Sequence, residues 1–299
     1  MKVTAFKLFH YISKPLIGTG IGRIRPLYKA YKTAVKMLIP EQSKIIIVNG
    51  YKMHVRLEKG YDIDGISQRL IFDGEHEPLM TEVFKKIVKP KMMVLDIGAH
   101  IGYYTLLAAS LVGSNGTVWA FEPEPRNFAN LGENVKLNGY DNVFLVNKAV
   151  SKDSGMANLY ISHMESGEHS LIPCRDNFGD TVTVPTVRLD DMFTTDTRVD
   201  VIKTDTEGND IRVIDGAREL INANSNIKIF TEFWPEGINA AGYSAQIYWD
   251  LLQFQGFKYI YLLDEFKKQA IEASFEDVMS YWHKHRFAAN LLCSKVKVL

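Results

Sequence analysis

The segment VLDIGAHIGYYT, residues 94–105, has the residue types and spacing of a loop that holds a nucleotide. Asp96 ends an apolar run, Gly98 and Gly102 follow four residues apart, and a helical pattern begins after them. Loops that bind a dinucleotide carry three glycines, and the second lets the backbone approach the pyrophosphate. His100 stands where that glycine would be, and its side chain obstructs a phosphate there. The loop therefore favours a nucleoside ligand that carries no phosphate.

S-adenosylmethionine fits this description, because it joins an amino acid, a sulfonium and an adenosine without a phosphate. Asp96 is placed to bind its ammonium, directly or through water. Tyr103 and Tyr104 offer aromatic faces to the sulfonium, although core packing is the stronger interpretation of each tyrosine alone. Glu122 ends the next apolar run, TVWAFEP, where a carboxylate can accept hydrogen bonds from both ribose hydroxyls. That last feature would serve NAD equally well, so the loop decides between the two cofactors.

The candidate acids and bases lie in KTDTEGND, residues 203–210, and in IFTEFWP, residues 229–235. Methyl transfer from a sulfonium is an in-line displacement, so the protein must align the acceptor, and a hydroxyl acceptor must also lose its proton. We therefore predict catalytic roles for Asp205, Glu207 and Glu232. The alternatives are that Glu207 caps the following helix and that Glu232 forms a salt bridge at a strand end.

Lys203 precedes these carboxylates by an even number of residues. If the strand continues through residue 207, Lys203, Asp205 and Glu207 share one face, with a cation among carboxylates. Hard divalent cations also prefer several oxygen ligands, but the spacing of the three carboxylates does not require a metal. No metal is therefore assigned from the sequence.

These residues need a framework that brings strand ends together. From residue 77 onward, helical segments alternate with short apolar runs, which predicts βαβ units and a mostly parallel sheet. A ligand of such a sheet lies at the carboxyl ends of the strands, near the point where strand order reverses. Upstream, residues 44–57 alternate around Asn-Gly and predict a β-hairpin, and residues 1–40 have a broken helical pattern.

The motifs occur in an order that resembles the FkbM-type S-adenosylmethionine-dependent methyltransferases. The resemblance extends from residue 94 to about residue 235. It is carried by the following blocks: VLDIGAHIGYYT, FEPEPRNFANLGENVKLNG, NKAVSKDSG, HSL, VPTVRLDD, VDVIKTDTEGND and IFTEFWP. It implies the class I methyltransferase fold, which is Rossmann-like and has a seven-stranded, mostly parallel sheet with an antiparallel last strand. It also implies O-methylation of a hydroxyl on a sugar, glycan or other natural product.

The resemblance completes the expected cofactor site. The family usually has Asn at the position of His100, and a neutral histidine keeps one donor and one acceptor there. The backbone of residues 148–150 is expected to line the adenine. The full set of residues expected to bind the cofactor is Asp96, Gly98, Ala99, His100, Gly102, Tyr103, Thr105, Glu122, Pro123 and Ala149.

The charged residues are distributed unevenly along the chain. The 299 residues have a formal net charge of zero, but residues 1–40 hold eight lysines and arginines and no acidic residue. We predict a basic N-terminal extension over residues 1–75 and a methyltransferase domain over residues 76–299. The basic arm suits an anionic membrane surface, and the alternative is a solvated helical appendage. Two distant cysteines and the lack of a long apolar run predict a cytoplasmic protein, with peripheral membrane contact left open.

Two other functions compete with methyl transfer. An NAD-dependent reductase would require a glycine at position 100 and typically a Tyr-x-x-x-Lys pair, which occurs here only as Tyr28 and Lys32 in the basic arm. A protein that binds the cofactor without turnover is the second alternative. The expected acceptor is a small molecule or glycan with a hydroxyl, and no nucleic acid is expected because the core shows no basic stripe. The acceptor's identity and the oligomeric state stay open.

Overall fold

A computed structural model describes residues 9, 25–38, 42–57, 64–163, 165–174 and 178–299. The N-terminal part contains α1 (Arg25–Leu38), β1 (Gln42–Val48), β2 (Tyr51–Leu57), α2 (Gly65–Phe72) and α3 (Pro78–Ile87). Alternating elements follow: β3 (Met93–Ile97), α4 (Tyr103–Val112), β4 (Thr117–Phe121), α5 (Pro125–Asn138) and β5 (Val143–Val146).

The second half of the chain begins with three strands of a smaller sheet. These are β6 (Ala149–Val150), β7 (Gly155–Ser162) and β8 (Phe178–Val187). The remaining elements are α6 (Leu189–Met192), β9 (Val201–Thr204), α7 (Asp210–Asp215), α8 (Arg218–Ala223), β10 (Lys228–Phe233), α9 (Pro235–Ala240), α10 (Ala245–Phe254), β11 (Tyr259–Asp264), β12 (Gln269–Glu272), α11 (Phe275–His285) and β13 (Ala289–Ser294).

The main sheet has eight strands in the order β12-β11-β13-β10-β9-β3-β4-β5. Neighbouring strands from β10 to β5 are parallel, and β13 lies antiparallel between β10 and β11. The predicted α/β class, the mostly parallel sheet and the antiparallel last strand are therefore confirmed. The strand order reverses between β3 and β9, so a ligand is expected at the carboxyl ends of these two strands.

The predicted count of seven strands is wrong by one. The additional strand is β12, which pairs antiparallel with the outer side of β11. Lys268, with φ of 54°, lies in the turn that brings the chain back for this pairing. The segment Gln269–Glu272 has exposed polar residues at both ends, so it lacks the apolar run by which the other strands were recognised.

The main sheet is covered on both faces, because α4 and α5 lie on one side and α7, α8 and α10 on the other. Val94, Leu95, Ile229 and Phe230 are completely buried, as their continuous apolar runs predict for such strands. Apolar contacts of this kind hold both layers of helices to the sheet.

The N-terminal hairpin packs on the main body. Tyr51, Met53 and Val55 of β2 belong to the same buried apolar cluster as Phe84 of α3. Two asparagines of α5 accept hydrogen bonds from the β2 backbone: Lys52 N donates to Asn138 Oδ1 at 2.8 Å and His54 N to Asn134 Oδ1 at 2.6 Å. These contacts fix the hairpin, and with it the chain that leads into α2, beside the helical layer.

The predicted membrane contact through residues 1–40 lies largely outside the described residues, which include only residue 9 and residues 25–38 of that range. Within the described part of the chain, no helix has the length and hydrophobicity needed to cross a membrane.

Candidate active site

A cavity of about 1310 Å³ opens at the carboxyl ends of β3, β4, β9 and β10. Its walls also include α2, the turn before α3 and the segment between β7 and β8. Of the residues predicted to bind cofactor or acceptor, those that line the cavity are Gly98, Ala99, His100, Tyr103, Glu122, Pro123, Ala149, Asp205, Glu207 and Glu232. Asp96, Gly102 and Thr105 lie directly behind this wall.

The loop after β3 has a fixed backbone shape. Gly98 N and Ala99 N both donate to Phe121 O at 3.0 Å, which ties the loop to the end of β4. Gly98 has φ of +74°, and a Cβ there would lie 2.0 Å from the backbone oxygen of Asp205. His100 also has a left-handed conformation, with φ of 51°. The glycine is therefore required by the contact between the β3 and β9 loops, whether or not a ligand is bound.

Glu122 is held by the same loop. Its Oε2 accepts from His100 N at 2.8 Å and its Oε1 from Glu124 N at 2.9 Å. The residue is buried, and this burial raises the pKa of its carboxyl group even though the nearby His100 opposes the shift. Since each carboxylate oxygen has two acceptor sites, one on each oxygen is left for a ligand hydroxyl. The structure thus places Glu122 as a pair of aligned acceptors at the end of β4.

Asp96 and Lys203 form a buried pair behind the loop. Asp96 Oδ2 accepts from Thr105 Oγ1 at 2.5 Å, and Lys203 Nζ lies 3.8 Å from Asp96 Oδ1 and 3.6 Å from Asp205 Oδ2. Burial alone would lower the pKa of Lys203, but the carboxylates of Asp205 and Asp96 outweigh it, so the pKa is raised and the amine stays charged. Lys203 therefore lies between the carboxylates of Asp96 and Asp205, whereas the sequence prediction had paired it with Asp205 and Glu207.

The three predicted catalytic carboxylates lie close together. One oxygen each of Asp205, Glu207 and Glu232 falls within 4.8 Å of the others. The prediction that Lys203, Asp205 and Glu207 share a strand face is wrong, because β9 ends at Thr204. Glu207 instead occupies a turn, with φ of 54°, and its proximity to Asp205 comes from that turn.

Carboxylates at this spacing are common without a metal, and the geometry alone assigns no ion to them. The turn that carries Glu207 is fixed by its backbone. Ser170 Oγ donates to Glu207 O at 2.7 Å, and Gly208 packs so tightly on Gly237 that a Cβ would lie 2.8 Å from Gly237 Cα. The Glu207 position therefore depends on the β7–β8 segment and on α9, two elements distant from it in the sequence.

The segment between β7 and β8 covers the side of the cavity formed by the loop after β3 and the start of α5. Ser166 Oγ lies 2.9 Å from His100 Nε2, and Asn127 Nδ2 donates to Ser166 O at 3.3 Å. Asn209 Nδ2 donates to Val150 O at 2.9 Å and joins the β9 turn to the expected adenine wall. Ser166 lies outside the sequence motifs. Asn127 and Asn209 lie within them, but their roles depend on contacts with distant segments that the motifs do not indicate.

The tyrosines at the start of α4 have partners within the protein. Tyr103 OH lies 3.0 Å from Thr81 Oγ1 and Tyr104 OH donates to Glu77 Oε2 at 2.9 Å. Lys203 Nζ lies 5.4 Å from the centre of the Tyr104 ring. The Tyr104 ring thus already faces one cation, and both tyrosines pack in the apolar cluster of α3 and α4.

His76 and Glu77 were also missed. They precede the family motifs and line the cavity beside Asp205. Burial, and secondarily the adjacent Arg69, keep the pKa of His76 well below its usual value, so the ring is neutral. Nothing in the local sequence distinguishes this His-Glu pair from a surface turn, because its surroundings are set by long-range packing.

Fold and site together have the features of a class I S-adenosylmethionine-dependent methyltransferase: a doubly wound sheet, a loop without the phosphate-binding glycine, and acidic strand ends. The model of the Methyltransferase FkbM domain matches residues 96–284. The chain therefore belongs to the FkbM methyltransferase family, which confirms the predicted family and its cofactor, S-adenosylmethionine. The family match also excludes the reductase interpretation of the loop.

Several solved structures are similar to this chain. An FkbM methyltransferase from Methylobacillus flagellatus KT is 14% identical, with a TM-score of 0.43 and coverage of 79% of this chain and 56% of its own. An S-adenosylmethionine-dependent O-methyltransferase from Thermotoga maritima is 15% identical, with a TM-score of 0.42 and coverage of 85% and 78%.

A putative rRNA methylase from Clostridium thermocellum is 14% identical, with a TM-score of 0.43 and coverage of 74% of this chain and 95% of its own. No curated protein matches the chain. At these identities and TM-scores the solved structures carry no information on the acceptor.

Proposed function

We propose that this protein transfers the methyl group of S-adenosylmethionine to a hydroxyl oxygen of a sugar, glycan or other small natural product. The observation that carries this proposal is the cluster of three carboxylates that line the cavity: Asp205, Glu207 and Glu232. It lies at the switch point of the sheet, next to the loop expected to hold the cofactor. A hydroxyl acceptor needs a base in this position, whereas the sulfonium already activates the methyl group.

The cofactor is proposed to lie along the β3 and β4 ends. Glu122 offers its two aligned oxygens to the ribose, and His100 and Ala149 line the nucleoside side. Asp96, which faces Lys203 behind the loop, is placed to act through water on the amino-acid end. This orientation directs the methyl group toward the β9 turn.

Asp205 is the proposed base or orienting group for the acceptor. Its side chain is 40% exposed and Lys203 Nζ lies 3.6 Å from its Oδ2. A carboxylate exposed to this extent can be reached by a bound acceptor, and its oxygens can accept a hydrogen bond from the acceptor's hydroxyl. Glu207 and Glu232 complete the wall against which that hydroxyl is aligned.

The experiment separates cofactor binding from methyl transfer. Asp205→Ala is expected to retain the Kd for S-adenosylmethionine, measured by calorimetry, and to lower transfer of labelled methyl into an extract of acceptors by about 100-fold or more, the usual size of a general-base contribution. Asp196→Ala is the matched control, since Asp196 is exposed and lies on the loop before β9, at the opposite edge of the sheet. Undiminished transfer by the Asp205 variant would show that this carboxylate has no such role.

A further inference from the structure

Asp210, the first residue of α7, is a buried carboxylate behind the proposed acceptor site. It is 1% exposed and does not belong to the residues that line the cavity, so it is not placed to touch the acceptor itself. A buried carboxylate destabilises a fold unless hydrogen bonds or charges compensate it. The contacts of Asp210 therefore indicate what this residue does in the protein.

The two oxygens of Asp210 hold the residues on either side of Asp205. Thr204 Oγ1 donates to Asp210 Oδ1 at 2.7 Å, and Thr206 N donates to Asp210 Oδ2 at 3.4 Å. Thr204 is the last residue of β9, so the regular strand no longer holds the chain from residue 205 onward. Asp210 thus joins the end of the strand to the following loop across the single residue between them.

The backbone of Asp205 is also held by the loop after β3. Asp205 N donates to Ile97 O at 3.1 Å, and Asp205 O packs so closely on Gly98 that an added Cβ there would lie 2.0 Å from it. These contacts hold residue 205, and Asp210 holds its two neighbours. Together they direct the Asp205 side chain, which is 40% exposed, towards the cavity and Lys203.

Asp210 is charged when it makes these contacts at alkaline pH. Burial, and secondarily the Asp205 carboxylate, raise the pKa of Asp210 to about 6, so the group is ionised at pH 8. An ionised carboxylate accepts hydrogen bonds on both oxygens, and both of its partners here are donors. Asp205 and Asp210 repel each other, and the Lys203 ammonium, which interacts with both, offsets part of this repulsion.

We infer that Asp210 is a positioning residue for methyl transfer, which fixes the Asp205 carboxylate against the acceptor hydroxyl by holding the chain on both sides of it. This inference rests on the proposed function and deepens it. Placement of this kind matters for catalysis, because a displacement of about 1 Å can lower a rate about 100-fold. The alternative is that Asp210 only stabilises the start of α7, where an acidic residue is favourable.

A double-mutant cycle separates the two roles, because a positioning residue acts through Asp205 and a purely structural one does not. The full-length protein, saturated with methyl-labelled S-adenosylmethionine at pH 8, is given a dilution series of a protein-free extract of the cells that carry its gene. Asp210→Ala is expected to lower the maximal rate of labelling by about 10- to 100-fold. In a protein that already carries Asp205→Ala, the same substitution is expected to change that rate by less than about twofold.

The Kd for S-adenosylmethionine, measured by calorimetry, is expected to stay within about twofold of the wild-type value in all three variants. Equal losses of rate in the two backgrounds, or no loss in either, overturn the inference and leave the role of Asp205 intact. A wild-type rate for Asp205→Ala alone contradicts the proposed function itself.

Thr204→Val tests the same contact if the Asp210→Ala protein does not fold. It removes one donor to Asp210 and keeps the branched shape of the side chain. Its maximal rate is expected to fall by about three- to tenfold, the equivalent of one lost hydrogen bond, and only where Asp205 is present. A loss of the same size without the Asp205 side chain overturns the inference.

Asp190→Ala is the matched control for the loss of a structural carboxylate. The Asp190 side chain is 2% exposed, and its two oxygens accept from Glu219 N at 3.2 Å and Leu220 N at 3.0 Å, outside the cavity. This variant is expected to lower the urea midpoint of unfolding and to keep the wild-type maximal rate. A loss of rate as large as that of Asp210→Ala would assign the effect to the fold and overturn the inference.

Discussion

Individual residues of the site serve the fold and the ligand at once. Glu122 was singled out in the sequence as a ribose acceptor, and the structure shows that its two oxygens also anchor the backbone of His100 and Glu124. Gly98 was singled out for a close approach to a ligand, and the structure shows a close approach to Asp205. Both residues therefore have a contact within the protein at the position where the sequence predicts a ligand contact, and their binding of the cofactor stays a prediction.

The Glu122 assignment predicts a measurable loss of cofactor affinity. Glu122→Ala removes a carboxylate proposed to receive both ribose hydroxyls, so the Kd for S-adenosylmethionine is expected to rise by the equivalent of about 1.5 to 3 kcal/mol. Calorimetric titration measures the change, and a thermal unfolding curve checks that the loop remains folded. Asp141→Ala is a suitable control because Asp141 is an exposed carboxylate in the turn after α5. A Kd that stays at the wild-type value contradicts the ribose assignment.

At this scale, the contacts that could not be predicted from the sequence are those between residues far apart in the chain. Asp205 and Glu232 lie at the ends of apolar runs, and the parallel sheet brings such ends together, so their proximity was predictable, whereas Glu207 joins them through a turn. His76 and Glu77 lie in a turn before a helix, and Asn290 of the last strand holds Glu77 at the cavity wall. No periodicity or spacing near residue 77 carries that information.

At the scale of elements, apolar runs predicted the strands of the main sheet, because strands covered on both faces need them. The strands that lack such runs were the ones misjudged. β12 has two exposed ends, and the short strands within residues 142–150 belong to different sheets, β5 to the main sheet and β6 to the smaller one. The division at residues 147–148 follows from a side-chain bond, in which Asn147 Nδ2 donates to Glu122 O at 2.7 Å.

The close contact between the loops after β3 and β9 leads us to expect that one added methyl group destabilises the fold. Gly98→Ala places a Cβ 2.0 Å from Asp205 O, which forces the two loops apart, in addition to the cost of a left-handed alanine. Gly113→Ala is a matched control, since Gly113 has a similar φ of +68° and no atom within 4 Å of the added Cβ. We expect the Gly98 variant to lose about 1 to 3 kcal/mol more in free energy of unfolding than the Gly113 variant. Equal losses, measured by urea unfolding, would show that the loops accommodate the methyl group.

The whole molecule concentrates negative charge at one edge of the sheet. Its formal net charge is zero, yet the carboxylates of Asp205, Glu207 and Glu232 line one cavity. The sequence predicted these acidic strand ends but not the cations near them, because Arg69 and Arg286 reach the cavity from distant parts of the chain. Carboxylates placed close together in a partly buried site repel one another, so they lower the stability of the fold.

That cost is expected to appear in the pH dependence of stability, through Asp210 at the start of α7. Burial, and secondarily the neighbouring Asp205 carboxylate, raise the pKa of Asp210 from 3.8 to about 6. The folded protein therefore holds this proton more tightly than the unfolded chain, so the stabilisation is complete below about pH 4 and is lost as the pH rises through about 6.

Asp210→Asn removes this titration and tests the sign of the effect. The free energy of unfolding of the variant minus that of the wild type is expected to increase between pH 4 and pH 7 by up to roughly 3 kcal/mol, the equivalent of a two-unit pKa shift. Urea unfolding at four pH values measures it, and titrating groups that do not interact with Asp210 cancel in the difference. Asp250→Asn, on the exposed face of α10, is the control for replacing a surface carboxylate by an amide. A difference that falls as the pH rises would mean that the charged carboxylate of Asp210 is stabilised within the fold.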